Sequence, residues 1–238
     1  MRAMLLAAGL GTRLKPFTDQ HPKALAIVNG RSLLQRNIDY LKGSGVTDII
    51  INVHHFSEEI VAFIQHKDNF GINIRVSNES DRVLETGGGL MKASWFFSEA
   101  TPFILMNVDI LTDLDIRGMY KQHLESIAIA TLAVSMRPTS RYLLFDNDNL
   151  LSGWRNVKTS EERISRQRTE YIARAFSGIH IISPRIFQMI KLTGKFSMID
   201  VYLELAKHES IIGFDHSGSK FIDVGTPQSI IDAEKVFK

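Results

Sequence analysis

The chain has 238 residues, of which 44% are hydrophobic and 23% charged, and its formal net charge is +2. These values are typical of a globular protein large enough to bury a core, and they do not favour a nucleic-acid-binding surface. There is no cysteine, which excludes disulfides, thiolate nucleophiles and cysteine-ligated metal centres.

The first half of the sequence alternates between short apolar strands and amphipathic helices. Strands are predicted at Arg2–Leu6, Asp48–Val53, Ile72–Val76 and Pro102–Asn107. Helices are predicted at Leu33–Lys42, from a Ser57 cap through Ile64, and at Gly88–Phe97. Because this alternation is typical of parallel sheets, it predicts an α/β fold: a single Rossmann-like, mostly parallel sheet flanked by helices on both faces.

The second half is richer in strands. They are predicted at Ala128–Met136, Tyr142–Phe145, Leu150–Trp154, Phe176–Ile182, Ile211–Phe214 and Lys220–Val224. Helices are predicted from Pro184 to Ile190, at Ser197–Lys207 and from Pro227. The polar segment Asn156–Thr169 has no clear period, so we predict a mobile loop or lid there. We expect one domain over residues 1–238, with a nucleotide-binding half at about 1–125 and a small β-rich, sugar-binding half at about 126–238.

A glycine-rich loop follows the first strand. Gly9 and Gly11 leave backbone N–H groups exposed to an anion, while Arg13 and Lys23 add two cations. Position 14 is leucine, so the loop is neither a dinucleotide fingerprint nor a GxxxxGK[ST] phosphate loop. On these residues alone the loop is either a phosphate cradle or a tight turn after a core strand.

The stretch Leu6–Thr18, followed by Pro22-Lys23, resembles the signature of sugar-1-phosphate nucleotidyltransferases. Four more segments match that family in order, and the resemblance covers nearly the whole chain. They are Glu85–Leu90, Asn107–Asp109, Phe176–Ile179 and Phe221–Pro227. The family implies the nucleotide-diphospho-sugar transferase fold, Mg²⁺ as cofactor, and a nucleoside triphosphate and a sugar 1-phosphate as partners.

The resemblance also implies a role for individual residues, and some of them serve more than one role. The expected catalytic residues are Arg13, Lys23, Asp109 and Asp223, with the two aspartates as Mg²⁺ ligands. The expected nucleotide-binding residues are Ala7, Ala8, Gly9, Gly11, Thr12, Arg13, Lys23, Glu79, Thr86, Gly87 and Gly88. The expected sugar-binding residues are Asn107, Glu85, Gly178 and Arg174. For Glu79, Glu85 and Arg174, a surface role is the alternative.

The Thr86–Gly89 motif and the short length look most like N-acetylmuramate-1-phosphate uridylyltransferases of peptidoglycan recycling in the cell wall. Mannose- and heptose-1-phosphate guanylyltransferases, or a catalytically silent nucleotide-sugar-binding regulator, are the alternatives. Met1–Ala8 is too short for a signal core or a membrane span, so we expect a cytoplasmic protein with no nucleic-acid or membrane partner. The sequence leaves monomer and dimer open.

Overall fold

The computed structural model describes residues 1–79, 82–97 and 101–238. The strands are β1 (Arg2–Leu6), β2 (Ile27–Val28), β3 (Arg31–Ser32), β4 (Asp48–Val53), β5 (Asn73–Asn78), β6 (Phe103–Asn107), β7 (Ile110–Thr112), β8 (Ala130–Ser135), β9 (Arg141–Phe145), β10 (Leu151–Asn156), β11 (Glu161–Ile164), β12 (Ile172–Ile182), β13 (Ile211–Asp215) and β14 (Phe221–Asp223). The helices are α1 (Leu33–Gly43), α2 (Ser57–His66), α3 (Glu85–Lys92), α4 (Ile116–Glu125), α5 (Ile186–Met189), α6 (Met198–Leu205) and α7 (Pro227–Val236).

Most strands join one mixed central sheet. Its main path runs β11-β10-β9-β12-β6-β1-β4-β5, with β8 pairing to β12 and β13 pairing to β8. The four strands that the first half contributes to this sheet are β6, β1, β4 and β5, and they are parallel. The strands of the second half are mostly antiparallel and join the first half where β12 pairs with β6. The chain therefore has the α/β fold predicted from the sequence, with a β-rich second half.

Helices cover both faces of the sheet because its central strands are apolar on both sides. Along β1, Met4 and Leu6 lie in the core on one face, while Ala3 and Leu5 lie in the core on the other. Successive side chains of a strand point to opposite faces, so a continuous apolar run can be buried only between two layers. Within the described residues, no helix has the length and apolar character needed to cross a membrane.

The polar segment after β10 is ordered, and the prediction of a mobile loop over Asn156–Thr169 is wrong. Glu161–Ile164 forms β11, which pairs antiparallel with β10. Beyond it, Arg166 donates from Nη2 to the carbonyl of Glu209 at 2.9 Å. The exposed strand has no apolar alternation, which is why the sequence pattern did not reveal it.

Two helix starts also differ from the prediction. Helix α2 has Phe56, at φ 55°, in the capping position, so Ser57 is its first residue and not its cap. Helix α3 begins at Glu85, earlier than predicted, and a short 3-10 turn replaces its predicted end at Ser94–Phe96. This earlier start places the whole glycine run inside the helix.

Candidate active site

The candidate site lies where the parallel strands of the first half end. Leu6, the last residue of β1, is in register with Asn52 of β4 and with Asn107 of β6. Carboxyl ends of parallel strands are the usual place for ligand-binding crevices in open α/β sheets. A cavity of about 370 Å³ opens there. Its lining consists of Leu6, Ala7, Ala8, Gly9, Lys23, Asn52, Val83, Glu85, Thr86, Asn107, Val108, Asp109 and Ser197.

The glycine-rich loop forms one wall of this cavity. Gly11 has φ +61°, in the left-handed region that glycine adopts without strain. A Cβ at this position would lie 2.9 Å from Thr18 Cγ2 and 3.0 Å from Lys23 Cβ. Glycine therefore allows the segment carrying Lys23 to pack directly against the loop. Thr12 and Arg13 follow in a short 3-10 turn and are exposed.

A buried polar chain fixes the start of the loop. The N–H of Ala7 donates to Asn52 Oδ1 at 2.7 Å, and Asn52 Nδ2 donates to Glu79 Oε1 at 2.7 Å. The second Glu79 oxygen accepts from the N–H of Leu84 at 3.1 Å. The structure therefore places Glu79, predicted to contact the nucleotide, outside the cavity lining and makes it a support of the loop. Asn52 was not predicted, although a lone asparagine in an isoleucine-rich strand is a detectable signal.

Three of the four predicted catalytic residues are linked by hydrogen bonds or strand pairing. Lys23 Nζ forms an ion pair with Asp109 Oδ2. Asp223 ends β14, which pairs antiparallel with β7, and the N–H of Val224 donates to the carbonyl of Asp109 at 2.8 Å. The two aspartates thus come together although they are far apart in sequence.

Arg13 completes the cluster of charges. A Cβ built on Gly225 would lie 2.9 Å from Arg13 Nη2 and 3.0 Å from Asp223 Oδ1, so both groups flank this glycine. Partial desolvation, followed by the charge of Asp109, raises the pKa of Asp223, while Lys23 and Arg13 oppose that rise. The two carboxylates of the cluster therefore repel each other, and the two cations offset that repulsion only in part.

The glycine run in α3 is explained by protein packing. A Cβ at Gly87 would lie 2.4 Å from the ring of Phe196, and one at Gly88 would lie 2.2 Å from the carbonyl oxygen of Gly194. The N–H groups of Gly87 and Gly88 both donate to the carbonyl of Phe196, at 2.9 and 3.2 Å. The structure thus places these two glycines against residues 194–196, whereas the sequence predicted contacts to the base.

Two neighbours of these glycines do line the cavity. Thr86 Oγ1 accepts from the N–H of Met198 at 2.8 Å, which joins the start of α3 to that of α6. Glu85 has φ +60° and lies at the rim, with one carboxylate oxygen 3.5 Å from Lys195 Nζ. Both remain available to a bound nucleotide or sugar. A larger cavity of about 810 Å³ lies along α6, and Glu85 is the one predicted site residue in its lining.

Asn107 and Gly178, two of the predicted sugar-binding residues, lie next to each other, and their role in sugar binding stays a prediction. A Cβ on Gly178 would lie 2.7 Å from Asn107 Nδ2, and Gly178 has φ +71°. Glycine at this position therefore keeps the Asn107 amide at the cavity. Arg174, the fourth predicted sugar residue, instead pairs with Asp215 at 2.7 Å.

Arg137 was not predicted from the sequence. Its charge acts on Asp223, and its guanidinium carbon lies 4.7 Å from the centre of the Phe221 ring.

In comparisons with known proteins, a family model described as nucleotidyl transferase matches residues 2–238. An N-acetylmuramate alpha-1-phosphate uridylyltransferase of Caulobacter vibrioides is 28% identical over 246 residues, covering 98% of this chain and 95% of the relative. A mannose-1-phosphate guanyltransferase of Yarrowia lipolytica is 26% identical over 235 residues, covering 97% of this chain. The match spans only 62% of that guanyltransferase, so the chain matches less than two thirds of its length.

Solved structures agree on the fold. HddC of Yersinia pseudotuberculosis, complexed with GMP-PN, has a TM-score of 0.78 at 24% identity, covering 100% of this chain and 99% of that one. A putative glucose-1-phosphate thymidylyltransferase of Bacillus anthracis has a TM-score of 0.83 at 19% identity, covering 99% of this chain and 94% of that one. With the family model matched almost end to end, the chain belongs to the nucleotidyl transferase family.

Proposed function

We propose that the protein transfers a nucleoside monophosphate from a nucleoside triphosphate to a sugar 1-phosphate and releases pyrophosphate. The observation that carries the proposal is the meeting of Arg13, Lys23, Asp109 and Asp223 beside a cavity at the carboxyl edge of the sheet. The sugar phosphate is already an anion at neutral pH, so no general base is required. Catalysis then consists of holding several negative charges in line and stabilising the transition state.

Each residue of the cluster has a part in that task. Arg13 is exposed and free to bind the two phosphates that leave as pyrophosphate, as a planar guanidinium does well. Lys23 lies at the cavity wall, where its ammonium can exchange Asp109 for the α-phosphate and the incoming sugar phosphate. Asn52 holds the start of the loop that contains Ala8 and Gly9, through its hydrogen bond with the N–H of Ala7. The loop is therefore already ordered, and a ligand loses little binding free energy in ordering it.

The residues present fit a magnesium ion. Asp109 and Asp223 supply hard oxygen ligands. The pKa of Asp223 is raised by partial burial and by the charge of Asp109, and a divalent cation between the two carboxylates would offset both effects. In residues 1–79, 82–97 and 101–238 no group of three histidine or acidic side chains is clustered for metal binding, and two carboxylates are what magnesium often uses alongside phosphates. Bound there, it would neutralise charge on the reacting phosphates.

For the substrates we propose UTP and N-acetylmuramate 1-phosphate, in cytoplasmic peptidoglycan recycling. The support is the similarity to the Caulobacter uridylyltransferase, which is 28% identical over 98% of this chain, together with the Thr86–Gly89 motif. A guanylyltransferase acting on mannose or heptose 1-phosphate is the second candidate. It is favoured by the similar identity of the guanyltransferases and by the end-to-end match with HddC bound to GMP-PN.

The test is a matrix of reactions with Mg²⁺ that measures pyrophosphate release. Four nucleoside triphosphates are combined with the 1-phosphates of N-acetylmuramate, N-acetylglucosamine, mannose, glucose and a heptose. We expect the highest kcat/KM for UTP with N-acetylmuramate 1-phosphate. If kcat/KM is highest with GTP, the proposed substrates are wrong but the proposed reaction stands. No turnover in any combination would refute the reaction and support a silent nucleotide-sugar-binding protein.

Arg13→Ala and Lys23→Ala should each lower kcat/KM by about 10²- to 10³-fold, the usual effect of removing one preorganised group that stabilises transition-state charge. Lys15→Ala is the matched control, because Lys15 is exposed in the same loop and forms an ion pair with Asp19, at 2.7 Å, outside the cluster. Near wild-type kcat/KM in both of the first two variants would show that the cluster does not catalyse the reaction.

A further inference from the structure

A third cavity, also of about 370 Å³ but separate from the two described above, lies beyond the end of β8. Its walls include Ser135, Arg137, His216, Ser219 and Phe221. Phe221 belongs to the matched segment Phe221–Pro227, and the other four residues lie outside all the matched segments. The cavity is therefore a feature of this chain's second half, where the sequence left the choice of sugar open.

Three side chains of this cavity hold polar atoms without a hydrogen-bond partner. They are Ser135 Oγ, Arg137 Nε and His216 Nδ1, and they are the unpartnered buried side-chain atoms found in the described ranges. Ser135 and His216 are each only 5% exposed. Because a buried polar group without a partner is energetically costly, three such groups in one cavity point to a ligand that can bond to them.

Each of the three groups can donate a hydrogen bond. His216 Nε2 lies 2.7 Å from Ser177 Oγ; when Ser177 donates to it, the proton of the neutral ring is on Nδ1. Burial lowers the pKa of His216, which favours that neutral ring. Arg137 Nε–H and the Ser135 hydroxyl are the other donors. An oxyanion fits this set better than a cation or an apolar group.

Arg137 differs from the other arginines of this half. Four of them pair with a carboxylate, namely Arg155, Arg163, Arg168 and Arg174. Arg137 has no such ion pair among the described residues; it donates from Nη2 to the Phe176 carbonyl at 2.6 Å and stacks on Phe221. The carboxylate of Asp215 beside His216 is already neutralised by Arg174. A half-buried guanidinium that makes no direct ion pair is a place for an anionic group of a ligand.

The cavity adjoins the catalytic cluster. Phe221 and Asp223 are two residues apart on β14, so they face the same side at a spacing of roughly 7 Å. The charge of Asp223 also reaches Arg137. A sugar whose 1-phosphate lies at Asp223 therefore has its ring and substituents within reach of this cavity.

We propose that Ser135, Arg137 and His216 bind a carboxylate carried by the sugar 1-phosphate, which makes them specificity-determining residues for acidic sugars. This inference rests on the proposed function. The occupant is a carboxylate substituent of the substrate. N-acetylmuramate 1-phosphate and N-acetylglucosamine 1-phosphate test it, because the first carries a lactyl ether with a carboxylate where the second has a hydroxyl group.

The experiment measures kcat/KM for these two sugar phosphates in the wild type, Arg137→Met and Arg137→Lys. The wild type should prefer the acidic sugar, and Arg137→Met should lower that preference about 10- to 100-fold, the worth of one hydrogen bond to a charged group. The readout is the ratio of the two kcat/KM values, because a change in the charge near Asp223 affects the neutral and the acidic sugar alike. Arg137→Lys should keep part of the preference, because it keeps the charge but not the guanidinium geometry.

Arg185→Met is the matched control, because Arg185 is an exposed arginine of the same half and lies in neither cavity. Should Arg137→Met fail to fold, Ser135→Ala replaces it, with an expected decrease in preference of several-fold. An unchanged preference in Arg137→Met and Ser135→Ala would overturn the proposal and assign the cavity to water. A wild type that does not prefer the acidic sugar would overturn it as well, while leaving the transfer reaction intact.

A binding measurement separates the two proposals if no sugar phosphate reacts. Titration calorimetry compares free N-acetylmuramate with N-acetylglucosamine, neither of which needs the catalytic cluster. Tighter binding of the acid that is lost in Arg137→Met supports the carboxylate site even when the proposed reaction fails. Equal binding of the two sugars refutes the site.

Discussion

Replacing Gly88 by alanine tests whether the glycine run of α3 is required by packing. Gly88 lies inside the helix, where alanine is favoured over glycine by about 0.8–1.0 kcal/mol when nothing else changes. The added Cβ, however, would lie 2.2 Å from the carbonyl oxygen of Gly194, which belongs to the backbone and cannot rotate away. The two effects have opposite signs.

The structure gives the magnitude. Overpacking of this kind costs about 1–3 kcal/mol, and moving residues 194–196 away weakens the two hydrogen bonds that the Phe196 carbonyl accepts, each worth about 1 kcal/mol. After subtraction of the helix gain, we expect Gly88→Ala to lower the free energy of unfolding by about 2 kcal/mol. The KM for the nucleoside triphosphate should rise as well, because Thr86 and Ser197 flank this contact and line the cavity.

Gly43→Ala is the control. Gly43 is the last residue of α1, and a Cβ there would meet nothing within 4 Å, so alanine should stabilise the protein by up to about 1 kcal/mol. Denaturant unfolding at constant m-value measures both variants. The packing argument is refuted if Gly88→Ala unfolds at the wild-type denaturant concentration or above.

Two further predictions concern buried polar groups. Asn52→Ala should cost about 2–4 kcal/mol and weaken nucleotide binding, because it removes the acceptor of the Ala7 N–H and the donor to Glu79 Oε1. Calorimetry and denaturant unfolding measure the two effects, and a loss no larger than that in Asn73→Ala, whose asparagine bonds at the surface, would contradict the prediction. Burial lowers the pKa of His180 to about 3, so from pH 7 to pH 5 the unfolded chain gains a proton that the folded chain does not, and stability should fall by about 2 kcal/mol. In His180→Asn that part of the pH dependence should vanish, and an unchanged pH profile of the unfolding free energy would disprove the assignment.

Much of the fold could be predicted because the parallel strands are buried apolar runs. The predicted bounds of β1 and β4 match the structure, since both strands are enclosed on two faces and end in clear breaks. Strand β11 could not be predicted in this way, because three of its four residues are exposed and its strand conformation depends on pairing with β10. Local pattern contains no information about such a partner.

The site shows the same division. The sequence motif identified Lys23, Asp109 and Thr86 as members of one site, and the structure brings them to one cavity, while their roles stay predictions. The partner of the glycine run is a segment more than 100 residues away, so a motif that fits a nucleotide fits a helix contact equally well. Arg137 has no sequence signal, because its importance comes from its position beside Phe221 and from the absence of a direct ion pair among the described residues.

Strand β12 determines how the active site can move. Its 11 residues pair with β6 of the first half and with β8 and β9 of the second half. A hinge between the two halves would have to distort the ladder between β12 and β8, which crosses the junction with one register shift between Phe176 and His180. This pairing resists rotation of one half against the other, so we expect the spacing between the cavity beside Lys23 and the Arg137 cavity to be largely set before any substrate binds.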